Sequence, residues 1–387
     1  MNPDSAAPKP RSSQARGPLA SPRILVLRAG AIGDTLMTTP LVRALRRTFP
    51  NAYLVYVCSR SAYDVLRYSP HLDRVIPLAY RHLPAWLSRE KWDIARELRE
   101  PNLDFALVLE SHPSFIDLVR RTRPRRLIAF GPVPDASGFG RAIFDPKRHS
   151  IDNYLGAAIP LGVQSAGREM ELSFPARLDE VVWQRLAGRG LRETDYLVGI
   201  HPGWGGRKQA SDQTRLRSWP PQRFAEVMQW LAKRGQVRVL LTGSKADRPL
   251  TEYLVGLSGV PCLNLAGEFS LLELAALIRR LNLYLTVDTG PAHLAAALGT
   301  PLVTLWGPGI FEQTSPQGGS GLVRTLYHRV HCAPCYGTAL MKTCVDNVCM
   351  KQIEAGEVIE ALAEMWSLVG RREGEPPPVQ AGLRSQA

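Results

Sequence analysis

The chain has 387 residues, 45% of them hydrophobic and 21% charged, and a net charge of +13. That length suggests two or three domains, each able to bury a core without disulfide staples. The balance excludes collagen-like, disordered and cysteine-dense secreted classes. No unbroken apolar run reaches the roughly 18 residues of a membrane span. The first residues carry charge and proline rather than an apolar signal core, so the cytosol is the expected compartment.

Segment 1–23 holds +3 and segment 371–387 holds +1, which leaves +9 on the body. A basic body favours polyanions: nucleotides, nucleic acid, or an anionic membrane face. Segments 1–22 and 371–387 are rich in Pro, Ser, Gly and Arg and are expected to be disordered tails.

In chain order, apolar runs at Ile24–Leu27, Leu54–Val57, Phe105–Leu109, Leu197–Ile200, Val237–Thr242, Leu283–Val287 and Leu302–Trp306 alternate with helix-period segments. Runs that are apolar throughout predict strands buried on both faces of a parallel sheet. The alternation predicts a doubly wound α/β fold. The pattern starts at Arg23 and again near Tyr196, which puts a domain boundary near 175–195. The spacing predicts a helix over 35–47, another over 291–298 and a last one over 353–369.

Several motifs can carry chemistry. Arg28-Ala29-Gly30-Ala31-Ile32-Gly33-Asp34 follows the first strand, where a βα turn faces the ligand crevice. Gly30 and Gly33 permit a tight turn and close approach, but the third glycine of a dinucleotide fingerprint is missing. Asp34 suits either a first-turn acid favoured by the helix dipole or a general base at the cleft mouth. Val287-Asp288-Thr289-Gly290-Pro291-Ala292-His293 follows a later strand. Thr289 or Gly290 can cap the helix and Pro291 can open it, presenting free N–H groups to a phosphate; Asp288 and His293 serve that site or only local hydrogen bonds.

His201-Pro202-Gly203-Trp204-Gly205-Gly206, with Arg207, Lys208, Arg215 and Arg217 downstream, reads as a diphosphate clamp or a solvated loop. Asp247, in Thr242-Gly243-Ser244-Lys245-Ala246-Asp247, suits a ribose contact or a helix cap. Cys332, Cys335, Cys344 and Cys349 fall in one short stretch. They suit a structural Zn or Fe site, or are ordinary reduced thiols. Arg120, Arg121, Arg123, Arg125 and Arg126 form a cationic run able to grip phosphates or simply to face solvent. No nucleic-acid-binding signature accompanies them.

Together, RILVLRAGAIGDTLMTTPLVRALRRTFP (23–50), LVGIHPGW (197–204) and AGEFSLLELAALIRRLNLYLTVDTGPAHLAAALGTPLVTLWGP (266–308) resemble glycosyltransferase family 9, the ADP-heptose:lipopolysaccharide heptosyltransferases. The resemblance implies a GT-B fold, with two Rossmann-like domains facing across a cleft. The acceptor domain would span 23–185 and the nucleotide-sugar domain 195–350. The helix over 351–370 would cross back to the N-terminal domain.

The resemblance also implies inverting transfer of heptose from an ADP-sugar donor to a phosphorylated, lipid-linked saccharide at the inner membrane face. No metal or other cofactor takes part in the chemistry. Asp34 would be the catalytic base, with Gly30 and Gly33 beside the reaction centre. Asp288, Thr289, Gly290 and His293 would bind the donor, joined by Gly203 and Asp247. Arg217 stands where the family has a lysine, which changes a point charge into a fork. Gly309-Ile310-Phe311 replaces the family's Thr, Asp or Asn, Pro sequence. The arginines of 120–126 would bind acceptor phosphates.

A branch of the family that glycosylates autotransporter proteins carries a four-cysteine iron site, so a polypeptide acceptor stays open. A sugar-nucleotide epimerase and a basic polyanion-binding protein are the alternatives from other classes.

Overall fold

The computed structural model describes residues 21–79, 83–99, 102–131, 138–203, 216–319 and 321–373. Trp204 to Arg215, and with them Arg207 and Lys208, lie outside the described residues, as do most of the two expected tails. Six strands build the first sheet: β1 (Arg23–Arg28), β2 (Tyr53–Ser59), β3 (Arg74–Leu78), β4 (Phe105–Val108), β5 (Arg126–Ala129) and β6 (Phe139–Arg141). Their order is β3-β2-β1-β4-β5-β6. The second sheet holds β7 (Tyr196–His201), β8 (Val237–Leu241), β9 (Cys262–Asn264), β10 (Leu283–Val287), β11 (Leu302–Trp306) and β12 (Val323–Tyr327) in the order β12-β11-β10-β7-β8-β9. All pairings are parallel.

Both sheets share one topology. The first strand of each lies at the centre beside the fourth, with Ile24 level with Phe105 in one sheet and Val198 level with Leu283 in the other. The winding direction reverses between those two strands, and helices leaving to opposite faces open a crevice at their carboxyl ends. The central strands form because Ile24, Leu25, Val26 and Leu27 are all buried, as are the five residues of β10 and of β11. The strands absent from the sequence reading, β3, β5, β6, β9 and β12, are short or peripheral. β3 carries Pro77 and is partly exposed, β9 is only half-buried, and β5 opens on exposed Arg126.

Three elements depart from expectation. The helix expected over 35–47 is two helices, Ile32–Leu36 and Thr39–Thr48. Pro40 has no N–H to continue the first helix but fits the opening turn of the second. Helix Arg177–Ala187, placed mostly in the N-terminal domain by the 185 boundary, packs on helix Leu271–Arg280 of the second domain. Val182 and Leu186 are buried there, and Arg185 pairs with Glu273 at 2.9 Å. The segment before it is strapped to the first domain, since Arg43 donates to the carbonyls of Ala166 and Glu169. The changeover therefore falls between Glu171 and Arg177.

The last helix, Ala355–Glu373, does not cross back. Its buried stripe of Val358, Ala361, Leu362 and Met365 joins the core of the second domain, against β10, β11 and helix Pro221–Ala232. Trp366 stacks on Tyr196 with ring centroids 4.0 Å apart. A stripe that fills its own domain's sheet face has none left for the other domain. The domains instead meet through helix Ile32–Leu36 packed against helix Gly290–Leu298, and through His149, whose Nε2 lies 3.0 Å from the Ser315 carbonyl oxygen.

Candidate active site

The two switch points face one another across a single cavity of about 870 Å³. The loop after β1 supplies Arg28, Gly33 and Asp34, and the loop after β4 supplies Glu110 and Ser111. From the second domain come His201 after β7, Asp288, Thr289 and Gly290 after β10, and Arg217. Gly243, Ser244 and Asp247 follow β8 into the same cavity. Phe130, Phe144 and Tyr154 give the first domain's wall an apolar character.

Asp34 is a first-turn acid of its helix and also lines the cavity. Its Oδ2 accepts the Ala31 N–H at 3.0 Å, tying the N-cap backbone to the first turn of helix Ile32–Leu36. Its Oδ1 lies 3.2 Å from an Arg28 guanidinium nitrogen, and the side chain lines the cavity. Arg28 reaches Glu110 at 2.7 Å on its other side, while Glu110 accepts the Ala29 N–H at 3.0 Å. Burial pulls the Arg28 pKa down, but Tyr154, Asp34 and Glu110 together outweigh it and raise it, so the guanidinium stays charged. A carboxylate fixed by a charged fork and a backbone N–H is aimed rather than mobile. Gly30 is required because a β-carbon there would fall 2.5 Å from Asp34 Cβ.

On the opposite wall, Thr289 holds the N-cap position of helix Gly290–Leu298 with its hydroxyl 3.3 Å from that of Thr286 rather than on the helix backbone, and the helix ends at Gly299 in the left-handed region, φ 72°. The N-terminus of this helix opens on the cavity; Pro291 has no N–H and the Ala292 N–H donates to the Thr289 carbonyl oxygen at 3.1 Å, so the Gly290 N–H and the positive dipole end are what it offers an anion. Asp288 is buried, and burial pushes its pKa up to about 6 even though Arg217 pulls it down. Arg217 lies 3.2 Å from Asp288 Oδ2, donates to the Asp288 carbonyl oxygen at 3.0 Å, and sits 4.8 Å from the Tyr336 ring centroid. Gly309 keeps the approach open, since a β-carbon there would meet Asp288 Oδ2 at 2.6 Å. Asp247 accepts from Ser244 N and Oγ at 2.8 and 2.6 Å, so it caps its helix while facing the cavity. Gly203 packs so closely on Asp247 that a side chain there would displace it.

His293 lies beneath Gly33, and its Nδ1 is buried without a hydrogen-bond partner among the described residues. Burial pulls the pKa values of His293 and His201 down to about 4 each. The folded state therefore binds fewer protons than the unfolded chain between pH 6.5 and 4, and stability present above about 6.5 is lost as the pH falls through that window. Asp288 acts oppositely, because its folded pKa is raised. Two histidines outweigh one carboxyl, so thermal melting followed against pH should show a net loss on acidification. His293→Asn should make that loss shallower.

Other expected site residues are not brought to the cleft. Arg126 opens β5, and Arg120, Arg121, Arg123 and Arg125 precede it, at the amino ends of strands whose carboxyl ends face the cavity. Arg121 pairs with Asp117 at 3.1 Å and Arg125 with Asp104 at 3.2 Å; Arg120, Arg121 and Arg123 line a separate shallow recess. The acceptor-binding role expected of Arg120, Arg121, Arg123, Arg125 and Arg126 has no geometric basis in the cleft. Cys335 and Cys349 are buried beside half-buried Cys332 and Cys344, and burial pushes the Cys349 thiol up to about 11. Among the described residues no three His, Cys, Asp or Glu side chains are grouped to hold a metal, so the expected Zn or Fe site at Cys332, Cys335, Cys344 and Cys349 lacks support.

Sequence reasoning missed Glu110, Ser111, Phe130, Phe144, Tyr154 and Tyr336 as cavity residues. Glu110 and Ser111 were findable, because the switch-point rule directs attention to the loop after β4.

Two Rossmann-like domains closing a cavity between their switch points is the architecture of GT-B glycosyltransferases. The structure superposes on a glycosyltransferase family 9 protein from Veillonella parvula with a TM-score of 0.73 at 22% identity, covering 89% of this chain and 97% of that one. It superposes on Escherichia coli ADP-heptose lipopolysaccharide heptosyltransferase II with a TM-score of 0.70 at 20% identity, covering 91% and 99%. The model of glycosyltransferase family 9 (heptosyltransferase) matches residues 208–342. In sequence the chain is 27% identical to lipopolysaccharide heptosyltransferase 2 of Salmonella typhimurium over 331 residues, 80% of this chain and 90% of that protein. It is 28% identical to lipopolysaccharide heptosyltransferase 3 of Escherichia coli over 286 residues, 71% and 80%. The similarity to glycosyltransferase family 9 thus covers residues 208–342 by the family model and 80% of the chain by its likeness to the Salmonella protein.

Proposed function

We propose that the protein transfers a heptose from ADP-L-glycero-D-manno-heptose to the core saccharide of a lipopolysaccharide, with inversion at the anomeric carbon. The observation that supports this best is the opposition of Asp34 to Asp288, Thr289 and Gly290 across one cavity, each at the switch point of its own sheet. The relatives' names as lipopolysaccharide heptosyltransferases support the choice of sugar and acceptor.

In this reading an acceptor hydroxyl attacks the anomeric carbon and passes its proton to Asp34. The bond from that carbon to the diphosphate breaks, and its electron pair leaves with ADP. The charge growing on the diphosphate is met by the Gly290 N–H and the positive dipole end of helix Gly290–Leu298, the Thr289 hydroxyl and Arg217. These donors are fixed in place before the reaction, so none has to reorganise during it. Arg28 holds Asp34 toward the acceptor side, and Phe130, Phe144 and Tyr154 offer apolar faces to the acceptor's sugar rings. The acceptor is a phosphorylated, lipid-linked saccharide, and the protein works at the inner membrane face. No helix among the described residues is long and apolar enough to cross a membrane, so attachment would be peripheral.

Calorimetric titration with ADP, UDP and GDP tests the donor assignment. ADP should bind selectively. Arg217→Ala should weaken ADP by about 10- to 100-fold, the worth of a charge-assisted contact of about 1.5–3 kcal/mol. Selective binding of UDP or GDP would keep the fold's chemistry and overturn the heptose donor.

A further inference from the structure

Four large apolar side chains stand out on the surface of the first domain. Trp86 is 65% exposed, Leu87 58%, Trp92 49% and Leu83 41%. They occupy one contiguous stretch of chain, the short helix Ala85–Leu87 and the start of helix Arg89–Arg99. The two ends of the stretch are tied together and to the helix beneath. Lys91 donates from Nζ to the Leu83 carbonyl oxygen at 2.6 Å, and its ammonium lies 5.1 Å from the Phe115 ring centroid. Helix Ala85–Leu87 packs on both helix Arg89–Arg99 and helix Pro113–Arg121. Exposing four such side chains on an ordered element costs solubility and needs a reason.

The charge around them is predominantly positive. Residues 89–99 and 113–126 hold nine Arg and Lys against four Asp and Glu. The Arg121 guanidinium stacks 4.5 Å from the Trp92 ring centroid, joining the apolar patch to the recess lined by Arg120, Arg121 and Arg123. Arg120 and Arg123 are exposed and stand in no ion pair among the described residues. Tryptophan and leucine beside a field of arginines is the composition that sits at the boundary between anionic headgroups and acyl chains.

Helix Pro113–Arg121 begins two residues after Ser111, which lines the cavity. The short helix Ala85–Leu87 follows β3, at the carboxyl-end side of the sheet, while the arginines lie toward its amino end.

We propose that Leu83, Trp86, Leu87 and Trp92, with Arg120, Arg121 and Arg123, form a docking surface for an anionic lipid bilayer. The apolar side chains enter the headgroup boundary and the arginines contact lipid phosphates. This gives the arginine run a role outside the cleft. The inference rests on the proposed lipid-linked acceptor for its purpose, since docking would bring the protein to the leaflet in which that substrate is anchored.

Flotation of the full chain with vesicles tests it without donor or acceptor, so its failure would leave the transferase reading standing. The protein should float with mixed phosphatidylglycerol–phosphatidylethanolamine vesicles and stay behind with phosphatidylcholine alone. Trp86→Ser with Leu87→Ser should reduce partitioning by about ten-fold or more, because both side chains lose their burial in the bilayer. Arg120→Ser with Arg123→Ser should weaken binding at low salt and flatten its salt dependence. Transfer to a delipidated acceptor should be unchanged in all of them, which also shows that they fold. The proposal is overturned if wild type does not float, or if the Trp86 and Leu87 double variant floats as well as wild type. It is equally overturned if light scattering finds a wild-type dimer that this variant dissociates, because a second copy would then be what covers the patch.

Discussion

Replacing Asp34 with asparagine is expected to leave ADP affinity close to wild type while slowing transfer by roughly 10²- to 10⁴-fold, the usual worth of a positioned general base. The variant has the same shape, although its amide nitrogen would face Arg28 where Oδ1 now lies at 3.2 Å. An asparagine oxygen can still accept the Ala31 N–H that Asp34 now takes at 3.0 Å, so the start of helix Ile32–Leu36 keeps its cap. Arg28 loses one carboxylate but retains Glu110 at 2.7 Å, so its charge is not stranded. What disappears is the ability to take a proton. Steady-state transfer rates set beside ADP calorimetry separate the two contributions. Transfer at the wild-type rate would reduce Asp34 to a helix cap and place the base elsewhere, with Glu110 the next carboxylate on the same wall. Glu110 is the weaker candidate, because its carboxylate is already shared between Arg28 and the Ala29 N–H.

The sequence exposed those parts of the molecule that burial makes periodic. Every strand expected from a continuous apolar run is present, because strands between two helical layers have no solvent face to encode. The strands that escaped are those with mixed surroundings, such as β3 with Pro77 and β5 opening on Arg126. The loops after β1 and β10 were legible for a related reason. Glycine and a capping residue at a strand's carboxyl end are local features, and topology carries them to the crevice whatever else the chain does. Contacts between domains were not legible. Nothing local in Val182 or Leu186 says that their helix packs on residues 271–280, and nothing in the stripe of the last helix says which sheet it covers. The arginine run misled for the same reason. Its charge density was visible, but its position at the amino ends of the strands depended on where β5 begins.

The second large effect is expected at Gly33, where alanine should lower kcat/KM by about 100-fold with little change in melting temperature. Gly33 lies in helix Ile32–Leu36, and alanine there favours the helix intrinsically by about 1 kcal/mol. The first domain taken alone would therefore not be weakened. The obstacle is on the other side of the cleft. A β-carbon at residue 33 would fall 2.5 Å from His293 Cδ2 and 2.9 Å from Nε2. His293 is buried within helix Gly290–Leu298, the same helix whose N-terminus faces the cavity, so it has little room to yield. The two domains must separate by roughly an ångström to bring that 2.5 Å approach to an ordinary van der Waals distance. That separation moves Asp34 away from the donor wall, and misplacement of about 1 Å is enough to cost 10²-fold. ADP binding should suffer less, because its proposed contacts all lie on the second domain. The decisive comparison adds His293→Ala to Gly33→Ala. If steric wedging is the cause, removing the imidazole clears the space, and the double variant should be no slower than His293→Ala alone. Losses that simply add would mean that the two residues act independently, and that Gly33 does not set the distance between the domains.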